Sequence, residues 1–207
     1  MKLIIASRNA HKTTEIQAML SSVPDLEIAS LADYDVPEII EDQDTFLGNA
    51  TKKAIETACY IKEIVLADDS GLAVDALNGA PGVYSARYAG EGATSEQLCE
   101  KLLRELKDVP PEKRTARFTT VLVIAAPNGK ILYTAAGVCE GLITENMRGV
   151  NGFGYDPVFY YPSLKKTFAE LAPAEKNQHS HRYLALQDLL GKINAEEPAL
   201  VEESPQS

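Results

Sequence analysis

Apolar positions along this chain switch between a strand-like and a helical period, and the switches mark out its elements. Leu3-Ile4-Ile5-Ala6 is a continuous apolar run, which predicts a buried first strand, and the polar stretch Ser7-Arg8-Asn9-Ala10-His11-Lys12 follows it. Ile16, Met19 and Leu20 then share one helical face, so the polar stretch reads as a loop opening a helix. A short strand near Leu26-Ile28 leads into a loop rich in aspartate and glutamate. Phe46, Ala50, Ala54, Ala58 and Ile61 form the apolar stripe of a second helix from Thr45 to about Lys62, with Asp44 as its expected cap. Ile64-Val65-Leu66-Ala67 predicts a short buried strand that ends at Asp68-Asp69, where Ser70-Gly71 is expected to turn the chain.

The second half reads in the same way. Asn78-Gly79-Ala80-Pro81-Gly82 implies a tight backbone path close to another element. Leu98, Leu102, Leu103 and Leu106 predict a packing helix from about Ser95 to Lys107. Residues 116–126 and the run starting at Ile131 form a long hairpin about Asn128-Gly129, and its antiparallel pairing makes the sheet mixed. Asn151-Gly152-Phe153-Gly154-Tyr155-Asp156-Pro157 is a loop before another apolar strand. Ser180 caps a last helix that buries Tyr183, Leu186, Leu189 and Leu190. One domain over residues 1–193 and a disordered acidic tail over 194–207 are expected.

Composition narrows the function classes. A formal net charge of −10 over 207 residues argues against a nucleic-acid polymer as partner, because such binding rests mostly on clustered Lys and Arg, although a local basic pocket for a small anion remains open. Cys59, Cys99 and Cys139 are widely spaced and lack metal-ligand or CxxC spacing, which fits reduced thiols and a cytoplasmic protein. No apolar run is long enough to span a bilayer, and residues 1–5 lead directly into polar sequence without a signal-peptide pattern.

Four stretches could carry chemistry. Asp68-Asp69 places two carboxylates side by side, which suits a divalent cation with oxygen ligands or, equally, an Asx-rich turn. Ser7 to Lys12 offers a hydroxyl, an amide, cationic side chains and free helix N–H groups, suited to a phosphate or simply to a capped helix. Phe153 between glycines is a stacking surface for a flat base or a buried loop aromatic. Lys176, His179, His181 and Arg182 gather at a helix start suited to anions or to an oxygen-bearing base edge; His-x-His lacks a third ligand for zinc.

Ser7-x-Asn9-x-x-Lys12-x-x-Glu15, Asn49-Ala50-x-x-Lys53-Ala54, Asp68-Asp69-Ser70-Gly71-Leu72, Gly79-x-Pro81-Gly82-x-x-Ser85-Ala86-Arg87, Gly152-Phe153-Gly154-Tyr155-Asp156-Pro157 and Ser180-His181-Arg182 occur in one order. Together they resemble the inosine triphosphate pyrophosphatase family, over residues 2 to about 193. The resemblance implies an α/β fold with a long, curved mixed sheet flanked by helices, usually in a homodimer. It implies hydrolysis of ITP, dITP and XTP to the monophosphate and pyrophosphate with Mg2+. By the same resemblance, Ser7, Arg8, Asn9, Ala10, His11 and Lys12 hold the triphosphate, and Asp69 is general base and metal ligand. Asp68 and Glu41 complete the metal site, and Ser70 touches the substrate. Phe153, Gly154, Tyr155 and Asp156 form the base and sugar pocket, which Lys176, His181 and Arg182 close, with Arg182 facing the purine 6-oxygen. Lys12, Lys53 and Lys176 would neutralise the leaving pyrophosphate. The family commonly has Glu before its Asn-Ala motif, where this chain has Gly48. A nucleotide-binding regulator without turnover, and a pyrophosphatase for pyrimidine or other modified nucleotides, are the alternative readings.

Overall fold

A computed structural model describes residues 2–21 and 23–196. Its centre is a seven-stranded open mixed sheet in the order β2-β1-β3-β4-β5-β6-β7, formed by Glu27–Ser30, Lys2–Ala6, Val65–Val74, Thr115–Ala125, Ile131–Ile143, Phe159–Tyr161 and Lys166–Thr167. Strand β1 is parallel to both β2 and β3, and every later pairing is antiparallel. Leu3 to Ala6 are buried because helices cover both faces of this parallel part, which is why the strand reads as an unbroken apolar run.

Helix α1 (Ala10–Leu20) packs with α5 (His181–Glu196) on one face, through Ile16, Leu20, Ala185, Leu186 and Leu189. Helix α2 (Phe46–Ile61) covers the other face with Ala50, Ala54 and Ala58, whose small side chains let it lie close to Ala67 and Val123. Helix α3 (Ser95–Glu105), held by a capping box at Thr94 and Gln97, joins a further core cluster that includes Phe118, Phe159 and Phe168. The short α4 (Pro173–Lys176) precedes α5.

Crossovers from β1 to β2 and from β2 to β3 run over opposite faces, so a crevice opens at the carboxyl ends of β1 and β3. Pairing between β1 and β3 stops at Ala6 and Ala67, whereas β3 stays in register with β4 from Val65 to Val74. The expected turn at Ser70-Gly71 is therefore absent. Hydrogen bonding to β4 holds these polar residues extended. The tight path after β3 does approach it closely: a Cβ on Gly71 would lie 2.5 Å from the Gly82 carbonyl oxygen.

Smaller boundaries also move. Thr45, not Asp44, caps α2, because its hydroxyl accepts from Gly48 N at 3.0 Å. Helix α5 runs through Glu196, into the segment expected to be tail, and residues 197–207 lie outside the described residues. No helix among the described residues is long and apolar enough to cross a membrane.

Candidate active site

Successive residues of a strand point to opposite faces, and this separates the paired carboxylates. Asp68 and Ser70 face α1 and α5, while Asp69 faces α2. Both Asp68 oxygens are occupied: Oδ1 accepts from Lys12 Nζ at 2.6 Å and Ser70 Oγ at 2.7 Å, and Oδ2 accepts from Arg182 Nε at 2.9 Å. Burial would raise its carboxyl, but the charges of Arg182 and Lys12 hold it well below the usual range. Asp68 thus spends three of its acceptor positions on two cations and a hydroxyl, and it would join a metal site, as expected from sequence, only alongside or in exchange for one of them.

Asp69 is the opposite case. Its Oδ1 accepts only from the adjacent Ser70 N, at 3.0 Å, and Oδ2 is buried with no hydrogen-bond partner. Burial raises its carboxyl, against the pull of Lys12 and Lys53, and the Glu41 charge raises it further. Asn49, whose Nδ2 is also unpartnered, lies close enough to favour the charged form without meeting hydrogen-bond geometry. Glu41 pairs with Lys53, which also donates to the Asp68 carbonyl at 3.0 Å. Among the described residues, no three His, Cys, Asp or Glu side chains converge on one metal position.

Glu15 extends the Asp68 pairing into a chain of alternating charge. Arg182 Nη1 donates to Glu15 Oε2, and Lys176 Nζ donates to Glu15 Oε1 at 2.8 Å and to Asp156 Oδ2 at 2.6 Å. Asp156 Oδ2 also accepts from Phe153 N at 2.8 Å, which ties the Gly-Phe-Gly loop to the network. Burial raises the Asp156 carboxyl, with Lys176 opposing it. Lys12, Arg182 and Lys176 thus balance Asp68, Glu15 and Asp156, so the two buried cations Arg182 and Lys176 and the half-buried Lys12 are each paired with a carboxylate of the protein. Glycine in β5 makes this placement possible. A Cβ on Gly137 would lie 2.2 Å from the His181 carbonyl oxygen and 2.3 Å from Ala185 N, so the first turn of α5 rests directly on the sheet.

Two cavities meet at these residues. One of about 290 Å3 is lined by His11, Asp69, Ser70, Phe153, Lys176, His181 and Arg182, among others. A second of about 730 Å3 is lined by Ser7, Arg8, Lys53, Arg87 and others. Asn9, Lys12 and Glu41 line both.

The Ser7 to Lys12 loop differs from expectation in one respect. Asn9 Oδ1 already accepts from His11 N at 3.0 Å and Lys12 N at 3.3 Å, so these two amides of α1 are not free for an anion. Ala10 merely opens the helix, Ser7 Oγ accepts from Asn9 N, and Arg8 donates to the Val36 carbonyl. Gly154 and Tyr155 join Phe153 and Asp156 in lining the smaller cavity. His181 is buried, stacks on Phe118 at 4.6 Å, and has an unpartnered Nδ1; burial, then the Arg182 and Lys176 charges, keep its ring neutral far below the usual pH range. His179 instead lies beside Tyr161. Sequence reasoning assigned no role to Glu15 or Arg87. Glu15 lies three residues after Lys12 on the same helix, where an opposite charge faces the same crevice. Arg87 Nη2 donates to the Glu41 carbonyl at 3.2 Å from the wall of the larger cavity.

Comparison with known proteins places the whole chain among its relatives. The chain is 53% identical to a dITP/XTP pyrophosphatase of Leuconostoc mesenteroides, an alignment covering 93% of this chain and 96% of the relative. It is 52% identical to one of Shouchella clausii, covering 89% and 92%. A HAM1 protein from Coxiella burnetii superposes with a TM-score of 0.85 at 41% identity, covering 94% of this chain and 99% of that one. The Staphylococcus aureus Ham1 protein gives 0.83 at 38% identity, covering 95% and 100%. The family model of the Ham1 family matches residues 3–192, and this chain belongs to the Ham1 family.

Proposed function

We propose that this protein hydrolyses non-standard purine nucleoside triphosphates, ITP, dITP and XTP, with water to the nucleoside monophosphate and pyrophosphate. The observation that carries this reading is the junction of the two cavities. A nucleotide with its base in the smaller one and its β- and γ-phosphates in the larger one would lay its α-phosphate beside Lys12, Glu41 and Asp69.

Asp69 is the one carboxylate of the Asp68-Asp69 pair with an oxygen free to take a proton. Its raised carboxyl makes it a stronger base than an ordinary aspartate. In the reaction, the Asp69 carboxylate accepts a proton from the attacking water, a bond forms from water oxygen to the α-phosphorus, and the bond to the bridging oxygen breaks. Lys12 and Lys53 neutralise the charge that grows on the departing pyrophosphate, with Arg8 and Arg87 further along the same cavity. Cys99 and Cys139 are no nucleophiles, since burial pushes both thiols up to about 12.

The orphaned Asp69 oxygen with Glu41 nearby suits Mg2+, which commonly takes one or two carboxylates and completes its shell with substrate phosphate and water. Asp69 and Glu41 would hold it, once Glu41 exchanges Lys53 for the cation. When bound it would supply phosphate charge neutralisation and a lowered pKa for water.

Base choice rests on Arg182. Nε, Nη1 and Nη2 each spend one donor on Asp68, Glu15 and Ser70, which leaves part of the five-donor guanidinium for a ligand in the smaller cavity. Those donors match the 6-oxygen of hypoxanthine and xanthine and clash with the 6-amino group of adenine. Homodimer formation and a cytoplasmic location complete the reading.

Pyrophosphate release across ITP, XTP, GTP, ATP and pyrimidine triphosphates, with and without Mg2+, tests it. Selective, Mg2+-dependent turnover of ITP and XTP is expected. Preference for a pyrimidine or for ATP, or nucleotide binding without release, would overturn it.

A further inference from the structure

His11 and Phe153 stack on each other across the smaller cavity, with ring centroids 5.2 Å apart and planes 13° from parallel. His11 comes from the first turn of α1 and Phe153 from the loop between Gly152 and Gly154, so two elements remote in sequence contribute facing flat surfaces. Both rings line the cavity that also holds Ser70, Asp156, Lys176 and Arg182. Lys176 Nζ lies 4.7 Å from the Phe153 ring centre, and Asp156 accepts from Phe153 N, so the phenyl wall is tied to the charged network. His11 makes no side-chain ion pair among the described residues and is exposed. Nothing holds its imidazole toward the larger, phosphate-sized cavity, whose lining does not include it.

We propose that His11 is a wall of the base site and not a phosphate ligand. In the free protein the two rings close the slot on each other, and the purine enters by parting them and stacking between them. The proposal rests on the nucleotide reading above, and it moves His11 from the triphosphate group expected from sequence to base recognition. A sandwich needs two aromatic contacts in series, about 7 to 8 Å between the outer rings, so the rings must separate by about 2 to 3 Å. Their settings permit this. Phe153 sits between two residues with φ of +75° and +61°, backbone that glycine adopts without strain, and His11 has solvent on its outer side. The resting pair also shields an aromatic face that would otherwise meet water. Because one ring contact is broken when two are made, the net contribution of His11 to purine binding is modest, about 5-fold.

The test is calorimetric titration of the full chain and of His11→Ala and His11→Phe with IMP and, separately, with pyrophosphate. ITP turnover by the wild type is measured alongside and judges the functional reading on its own. The expected pattern is IMP binding weakened about 5-fold in His11→Ala, restored within about twofold in His11→Phe, and pyrophosphate binding unchanged in both. In NMR spectra of the wild type, cross-peaks between the His11 and Phe153 rings should disappear on adding IMP, and both rings should gain cross-peaks to the base. Equal losses for IMP and pyrophosphate, equal losses in both variants, unaltered IMP binding in His11→Ala, or ring cross-peaks that persist with IMP bound would each overturn the proposal.

Discussion

Exchanging each of the adjacent aspartates for asparagine should move stability in opposite directions. Asp69 Oδ2 is buried without a partner and burial raises its carboxyl, so the ionised side chain destabilises the free protein at neutral pH. An unpartnered buried polar group costs about 1–3 kcal/mol, and Lys12 and Lys53 offset part of that here. Asp69→Asn should therefore be more stable by about 1 kcal/mol, a rise of about 2–4 °C in melting temperature for a chain of this size. Because the folded carboxyl titrates above the unfolded one, the gain is complete above the folded value and fades as pH falls toward the ordinary 3.8. The same variant should lose about 10²–10⁴-fold in kcat for ITP, the usual contribution of a general base. Asp68→Asn removes the anion between the buried Arg182 and the half-buried Lys12 and leaves both short of a partner, a loss of about 3 kcal/mol. Urea denaturation at pH 7.5 and steady-state kinetics on the two variants measure both effects. If Asp69→Asn is the less stable protein, or if it keeps turnover within a few-fold of the parent, Asp69 is a structural carboxylate and the reasoning fails.

Arg182→Ala would strand Asp68 and Glu15 and test folding before anything else, so base selection is better probed with Arg182→Lys, which retains the charge with three donors in place of five. The ITP-to-ATP ratio of kcat/KM should narrow in that variant, and an unchanged ratio would remove Arg182 from base choice. His181 is neutral in the fold, but its unfolded counterpart takes a proton near the ordinary 6.5, so stability is lost as pH falls below that value. This residue alone should contribute about 1.4 kcal/mol of loss between pH 7.5 and 5.5. His181→Gln should flatten the stability profile by that amount, and an unaltered slope would contradict the assignment.

Much of the fold was legible because its signals are local. The β1 run, the alanine stripe of α2 and the Asn-Gly hairpin follow from periodicity and turn chemistry alone. Strand β3 reads in sequence as ending at Asp68-Asp69 with a turn at Ser70-Gly71, because polar residues in a strand interior resemble a turn until their partners are known. Those partners are remote: Arg182 lies 114 positions from Asp68, and β4 supplies the ladder that keeps the segment extended. The six collinear motifs point to the family, but they do not distinguish the ion-paired Asp68 from Asp69, whose Oδ2 is unpartnered. That difference comes from strand alternation, which turns neighbouring side chains to opposite faces. Asn9 shows a local competition of the same kind, since the residue that suits a phosphate loop also suits an N-cap, and the cap takes two of the amides. Glu15 remained without a role because its partners Lys176 and Arg182 are both far along the chain.

Hydrolysis of ITP in water enriched in oxygen-18 tests the central claim most directly, because it reports which phosphorus the water attacks. Attack at the α-phosphorus beside Asp69 predicts one labelled oxygen in IMP and none in pyrophosphate. Label in pyrophosphate with none in IMP, or release of IDP and inorganic phosphate, would place the reacting centre elsewhere and contradict the account.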